Sequence, residues 1–230
     1  MQADAAQVGA FVRRALGHEC RDPALFVAAL THRSHPGPHN ERLEFLGDAV
    51  LSLVVADWLF ESHPQADEGT LSRYRAHLVN GETLADLAEE MGVGDRLFLG
   101  GGELKSGGFR RRSILADALE ALFGALYLDA GLGPVKGLIR RLLATRHANL
   151  PAESAMKDAK SQLQEWLQGR GQPLPVYSVE SVSGDPPDQC FSVRCAIDAL
   201  GLQATATGSS RRRAEQAAAE GLLAEVRRLR

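Results

Sequence analysis

Three carboxylates stand at helical spacing in the segment NERLEFLGDAV, residues 40–50. On a helix that advances about 100° per residue, Glu41, Glu44 and Asp48 fall within roughly 60° of one another. The chain continues as LSLVVADWLF, so this helix is apolar nearly all round, which is typical of an element buried in a core or an interface. Buried carboxylates repel one another and are costly to desolvate. We therefore expect a partner for them, either a basic residue from elsewhere in the chain or a metal ion.

A second acidic pair occurs in SILADALEALFGALYLDAG, residues 113–131. Asp117 and Glu120 are three residues apart on another apolar helix, for which Ser113 is the expected N-cap. If the two helices pack together, four or more carboxylates meet in one pocket. Ligands that are all oxygen select hard divalent ions, Mg²⁺ or Mn²⁺, over zinc or copper. Such an ion is suited to phosphodiester hydrolysis, because it lowers the pKa of a water and neutralises charge that develops on the phosphate.

The elements that would carry these acids are helices, and the first part of the chain is predicted to be all-α. Apolar residues recur at helical period around residues 5–16, 23–33, 41–62, 67–91 and 113–146. The glycine-rich segment LGGGELKSGGF, 99–109, resembles a phosphate-binding loop in composition. No strand is predicted before it and no GKS or GKT follows it, so we interpret it as a mobile connector.

The periodicity changes in the last third of the chain. A predicted helix at 158–169 is followed by three segments with strand-like alternation, VYSVESV, CFSVRCAI and LQATAT, and by an alanine-rich helix at 211–229. This order predicts a small α-β-β-β-α domain, in which two helices cover one face of an antiparallel sheet. We assign an all-helical domain to residues 1–148, a linker to 149–156 and the α+β domain to 157–230.

Composition excludes several classes of protein. The chain has 230 residues, 44% of them hydrophobic, and no apolar run approaches the roughly 20 residues of a membrane span. Its start lacks the order of a signal peptide, and its three cysteines are predicted to be free thiols, so we expect a cytoplasmic protein with no membrane partner. The net charge is −3, but basic residues cluster in SSRRRAEQ and in the terminal RRLR, which is an electrostatic footprint for nucleic acid.

Several motifs together resemble the ribonuclease III family. Besides NERLEFLGDAV, the resemblance rests on THRS at 31–34, DEGTLSRYRAHLV at 67–79, GGGELKSGGFRRRSILADALEAL at 100–122 and GSSRRRAEQAAAE at 208–220. It covers nearly the whole chain. One catalytic domain followed by one double-stranded-RNA-binding domain is similar to the short bacterial form of the family, and differs from the Dicer and Drosha types.

The resemblance implies a Mg²⁺-dependent endonuclease, with Mn²⁺ as a possible substitute, that hydrolyses double-stranded RNA. Products would be staggered ends with 5′-phosphate and 3′-hydroxyl groups, and substrates would include ribosomal RNA precursors and other structured transcripts. It implies a homodimer in which Phe45 docks into the neighbouring subunit. The catalytic and metal positions that it implies are Glu44, Asp48, Asp117 and Glu120 as metal ligands, with Glu41 and Glu68 near the scissile strand or in the outer shell.

For the second domain, the resemblance implies two RNA contacts. One is a helix whose short polar side chains enter the minor groove; the other is a helix start that binds phosphates. The matching residues are Ser161, Gln164 and Glu165 for the first contact, and Ser209, Ser210, Arg211 and Arg212 for the second. The sequence departs from the family at Ala159, where proline is frequent, and at Pro187, where histidine is frequent.

Two other functions remain open on the sequence alone. The chain could be an RNA-binding protein whose acidic domain only dimerises, or an all-α nucleotide pyrophosphohydrolase with acidic helices. The two acidic pairs argue against the first alternative, because a scaffold has no need of them. The predicted RNA-binding domain argues against the second.

Overall fold

The computed structural model describes residues 5–152 and 158–228. The chain divides between Leu150 and Pro151 into two compact units. The predicted linker, 149–156, spans this division, and its residues from 153 onward lie outside the described part of the chain. No helix within the described ranges is long and apolar enough to cross a membrane.

The first unit is helical, which confirms the predicted class. Two short 3₁₀ turns, at 94–96 and 108–110, accompany its α-helices. The α-helices are α1 Ala5–Leu16, α2 Pro23–Ala29, α3 Glu41–Ser62, α4 Glu68–Leu78, α5 Gly81–Glu90, α6 Gly101–Lys105, α7 Arg112–Ala130 and α8 Leu132–Ala148.

Two of the predicted helices are each broken in two. The predicted helix 67–91 is α4 and α5, because the side chain of Asn80 accepts a hydrogen bond from the backbone N–H of Thr83 at 2.9 Å and starts a new helix. The predicted helix 113–146 is α7 and α8, which separate at Gly131. The φ angle of this glycine is +83°, outside the helical region.

Three local expectations were wrong. Helix α2 ends at Ala29 and does not continue to residue 33. Ser113 does not cap α7, because the helix begins at Arg112 and its N-cap position is Arg111. The glycine-rich segment 99–109, interpreted as a mobile connector, is not a plain loop, since it contains α6 and the start of a 3₁₀ turn, and the backbone N–H of Gly100 donates to the hydroxyl of Ser34.

Helix α7 lies at the centre of the first unit, and α3 packs against it through backbone contact. A Cβ atom on Gly47 of α3 would overlap the carbonyl oxygen of Glu120, and a Cβ on Gly124 of α7 would overlap the carbonyl oxygen of Leu43. Two glycines therefore allow the helices to approach more closely than side chains would permit. This contact fixes the register in which the two acidic helices meet.

One face of α3 is exposed in the single chain. Phe45 is 80% exposed, Leu53 57% and Phe60 74%, although the opposite face of the helix is buried. The helix is thus not enclosed on all sides within one chain. A row of large apolar side chains in water is typical of a protein interface.

The second unit has the predicted α-β-β-β-α order. Its sheet is antiparallel with strand order β1-β2-β3, and two helices pack on one face around a core that includes Leu163, Cys195 and Leu222. The elements are α9 Ala159–Gln168, β1 Val176–Ser183, β2 Cys190–Ile197, β3 Leu202–Gly208 and α10 Arg211–Arg228. The predicted last residue of α10, 229, lies outside the described residues.

The contact between α3 and α7 leads to a first prediction. Gly47→Ala should lower the free energy of unfolding by on the order of 3 kcal/mol, because the new methyl group meets backbone atoms that cannot rotate away. Gly137→Ala is the matched control, since it adds the same methyl group to an exposed glycine in α8 with nothing within 4 Å. The control should be stabilised by about 0.5–1 kcal/mol. Urea unfolding followed by circular dichroism measures both, and equal stabilities would contradict the proposed backbone contact.

Candidate metal centre and nucleic-acid interface

Helices α3 and α7 bring three carboxylates together. Glu44, Asp117 and Glu120 each offer an oxygen atom, and these three atoms lie within 4.8 Å of one another. Their convergence follows from the glycine contact, because Gly47 is three residues after Glu44 and its closest neighbour is the backbone of Glu120. The sequence predicts that acids from two helices share one pocket, and this geometry agrees with that expectation.

The pKa values of the three carboxyl groups are all raised. Burial, followed by the charges of Asp48, Glu44 and Asp117, raises the pKa of Glu120 to about 8. Burial and the charge of Asp117 also raise the pKa of Glu44, with Arg33 acting in the opposite direction. The cluster therefore has an excess of negative charge that a divalent cation would neutralise.

A cavity of about 760 Å³ opens beside the carboxylates, and Glu44 and Asp117 form part of its wall. Positively charged or polar side chains also face this cavity. They come from the segment before α3 and from the start of α7, and they include His32, Arg33, Ser34, Asn40, Arg111 and Ser113. The cavity thus offers both an acidic cluster and cationic groups to a ligand.

The other predicted acidic residues have different positions. Asp48 is exposed on α3, one turn after Glu44 and outside the group of three, but its charge acts on Glu120. Glu41 faces the cavity, with Oε1 3.4 Å from Nη1 of Arg33. Glu68 starts α4, accepts a hydrogen bond from the hydroxyl of Ser72 at 2.8 Å, and lines a separate groove beside the exposed Phe60.

Some residues of the cavity have no role in the sequence predictions. Asn40 is 2% exposed, and its backbone N–H donates to the carbonyl oxygen of Thr31 at 2.9 Å, which holds the start of α3 against the preceding segment. Arg33, Glu103 and Arg111 occur in motifs that carry the family resemblance, but the motifs alone do not show that these side chains face one cavity. Only the fold reveals that they belong together.

In the second unit, the starts of α9 and α10 are joined by hydrogen bonds. The side chain of Gln216 donates to Oδ1 of Asp158 at 2.8 Å and accepts from the backbone N–H of Lys160 at 3.1 Å. Nζ of Lys160 lies 2.6 Å from Glu215, which also pairs with Nε of Arg211 at 2.8 Å. The two predicted RNA contacts therefore lie on helices with fixed relative positions.

The side chains predicted to bind RNA have distinct environments. Gln164 and Glu165 are exposed on α9, whereas the hydroxyl of Ser161 donates to Asp158 at 3.0 Å. At the start of α10, the hydroxyls of Ser209 and Ser210 accept hydrogen bonds from Arg213, through its side chain and its backbone N–H respectively. Arg211 and Arg212 are exposed there. A helix start with exposed guanidinium groups is suited to phosphate.

Comparison with known proteins identifies both units. Residues 22–146 match the family described as Ribonuclease-III-like, and residues 159–226 match the double-stranded RNA binding motif. Ribonuclease 3 of Alkalilimnicola ehrlichii is 55% identical over 208 residues, which cover 90% of this chain and 91% of that protein. Ribonuclease 3 of Vibrio vulnificus is 52% identical, over 93% of this chain and 95% of the relative.

A solved structure agrees with these sequence matches. The nuclease domain of ribonuclease III from Campylobacter jejuni is 43% identical to the matching part of this chain, with a TM-score of 0.57. The match covers 59% of this chain and 95% of that domain. The helical unit with its acidic cavity, the α-β-β-β-α unit and the extent of these matches lead to one conclusion: the chain belongs to the ribonuclease III family and is an endoribonuclease that acts on double-stranded RNA.

Proposed function

We propose that the acidic cavity is the catalytic centre and that it binds Mg²⁺, for which Mn²⁺ can substitute. The observation that carries this proposal is the approach of three carboxylate oxygens to within 4.8 Å, in a group of ligands that contains neither sulfur nor nitrogen. Hard divalent ions prefer such oxygen ligands. The raised pKa of Glu120 further supports a cation site, because the carboxylates repel one another without a positive charge between them.

The proposed roles follow the position of each acid. Glu44, Asp117 and Glu120 would hold the ion directly, with Asp48 completing its surroundings from the exposed side of α3. Glu41 lies on the cavity wall beside Arg33 and would act on the bound strand. Glu68, on another groove of the same chain, stays a prediction from the family resemblance, in the outer shell or near the scissile strand.

In this mechanism, the protein supplies charge and position. A bound divalent ion contributes Lewis acidity toward the scissile phosphate and makes a water molecule easier to deprotonate. Glu120 holds a proton at neutral pH when no cation neutralises the cluster, because its pKa is about 8, and it must release that proton to act as a ligand. The rigid contact between α3 and α7 then keeps the carboxylates in place during cleavage. The expected products are staggered duplex ends with 5′-phosphate and 3′-hydroxyl groups.

We also propose that the enzyme works as a homodimer through the exposed face of α3. Phe45, Leu53 and Phe60 leave a large apolar surface in water on this face. The similar nuclease domain of Campylobacter jejuni is described with a region involved in dimer formation. A docked partner subunit would bury the aromatic ring of Phe45.

The second domain, which we place at residues 157–230 after a linker at 149–156, would hold the duplex. Ser161, Gln164 and Glu165 on α9 would contact the minor groove, and the start of α10 would contact phosphates. Its phosphate-binding residues are Ser209, Ser210, Arg211 and Arg212. The three cysteines are free thiols, which supports a cytoplasmic location, where ribosomal RNA precursors and structured messenger RNAs are the proposed substrates.

The catalytic role of Glu120 is tested by Glu120→Gln. This change keeps the size of the side chain but removes a metal ligand, so cleavage of a labelled hairpin RNA should fall by on the order of 10²–10⁴ while duplex binding persists. Partial recovery with Mn²⁺ is expected. Glu19→Gln is the control, since Glu19 is a surface residue that pairs with Arg13 and is not among the residues that line the cavity. Normal turnover of Glu120→Gln would refute the metal site, and wild-type protein that binds duplex RNA without cutting it would indicate a binding protein.

A pH series tests the electrostatic strain at the same residue. The pKa of Glu120 in the folded state, about 8, lies above its ordinary value of 4.5. Between these values the unfolded state loses the proton first, so wild-type stability decreases as the pH rises toward 8. In EDTA, the Tm of Glu120→Gln should exceed that of the wild type by a margin that grows to a few degrees from about pH 5 to pH 8. Saturating Mg²⁺ should reverse the order, because it stabilises the wild type. A margin independent of pH would contradict the raised pKa.

RNA binding is tested at the start of α10. Replacing Arg211 and Arg212 with Ala should weaken binding evenly across duplex sequences and lower the slope of log K against log salt by about 0.7–0.9 per lost contact. The control replaces Arg227 and Arg228, at the opposite end of the same helix. It removes the same charge, and its salt slope should remain that of the wild type. Equal slopes for the two double variants would mean that the start of α10 does not contact phosphates.

A further inference from the structure

The glycine-rich segment forms a wall of the proposed catalytic cavity. The backbone N–H of Gly100 donates to the hydroxyl of Ser34 at 2.9 Å, and a Cβ on Gly100 would overlap the carbonyl oxygen of Ser34. Glu103, on α6, and Arg111, at the end of the segment that follows, both face the cavity. The segment therefore packs against Ser34 near its start, and its end leads directly into α7.

The run of three arginines, 110–112, has three different environments. The guanidinium carbon of Arg110 lies 5.0 Å from the centroid of the Phe109 ring, and this residue lines a separate pocket. Arg112 forms ion pairs with three acids of α5, Glu82, Asp86 and Glu89. Arg111 differs from both, because it lines the same cavity as Glu44 and Asp117 of the carboxylate cluster.

Local helix electrostatics do not explain a cation at this position. The N-terminus of a helix has partial positive charge, which disfavours arginine at the N-cap. At Arg111 this cost is offset by an ion pair, since Nη1 lies 2.9 Å from Oε1 of Glu103. The side chain of Glu103 is 19% exposed, whereas that of Arg111 is 52% exposed. The partly buried carboxylate of Glu103 thus holds a guanidinium group that still faces water in the cavity.

We propose that Arg111 binds a phosphate of the RNA strand in the cavity and that Glu103 is the positioning residue that orients its guanidinium group. This inference rests on the proposed function of the cavity. Guanidinium groups bind phosphate through two parallel N–H donors, and a carboxylate on one Nη leaves the remaining edges of the planar group to a ligand. A cavity of about 760 Å³ is in the range that encloses ligands much larger than one phosphate group. The cavity therefore has room for a strand segment that extends beyond the scissile phosphate. The phosphate at Arg111 is one that flanks the scissile phosphate in this segment.

Steady-state cleavage of a hairpin duplex RNA tests the role of Arg111. Arg111→Gln should raise KM about tenfold, the effect of losing a charge-assisted contact, and leave kcat within about twofold, because the contact exists before and during the reaction. The slope of log(kcat/KM) against log salt should fall by about 0.7–0.9. Arg111→Lys should recover the slope and part of the KM. Arg110→Gln is the matched control, one residue away on another pocket, and should have wild-type KM and slope.

The role of Glu103 is tested with a double-mutant cycle. Glu103→Gln alone should raise KM less than Arg111→Gln does, and in the Arg111→Gln background it should cause no further loss, because its effect passes through the arginine. Additive effects, or a KM for Arg111→Gln equal to that of Arg110→Gln, would overturn the inference. If the inference about Arg111 fails but the wild-type enzyme cuts duplex RNA in the same assay, the proposed function of the cavity still stands. If the wild-type protein cuts no duplex RNA, the inference and the proposed function both fail.

Discussion

The backbone contact between α3 and α7 is the constraint on which the rest of the nuclease unit depends. Gly47 and Gly124 each face a carbonyl oxygen of the other helix, and no larger residue fits at either position. This close approach places Glu44 within reach of Asp117 and Glu120, although the three carboxylates repel one another. Packing at the glycines therefore holds together a charge cluster that electrostatics alone would separate.

The clustered carboxylates lower the stability of the cation-free protein and at the same time form a site suited to a cation. Burial raises the pKa values of Glu44, Asp117 and Glu120, and repulsion from neighbouring carboxylates raises those of Glu44 and Glu120 further, so an ion-free cluster is protonated or strained near neutral pH. Proteins commonly break local rules at functional sites and compensate elsewhere. Here the compensation comes from the surrounding apolar helices, among them α7, most of whose residues are buried.

In the RNA-binding unit, two helices are also held in fixed relative positions, here by side-chain hydrogen bonds. Hydrogen bonds of Gln216 with Asp158 and Lys160 fix the starts of α9 and α10 relative to each other. Polar side chains on α9 and exposed arginines on α10 can then contact two parts of a duplex without ordering either helix on binding, which lowers the cost of association. In both units, a rigid junction between two helices fixes the relative positions of the proposed site residues.

The sequence by itself determined the class of each unit, the two acidic helices, the order α-β-β-β-α and the family, because helical and strand periods and the motif spacing are properties of local sequence. It did not determine where the long predicted helices break. One break depends on a single hydrogen bond to the side chain of Asn80, and the other on the positive φ angle of Gly131. It also did not predict the short helix α6 in the glycine-rich segment, which was interpreted as a mobile connector. Only the tertiary structure decided that this segment packs on Ser34, that Glu103 pairs with Arg111, and that Glu68 and Glu44 line different grooves. These features depend on how the chain folds back on itself, between residues 34 and 100 and within the glycine-rich segment, which helical or strand periodicity does not encode.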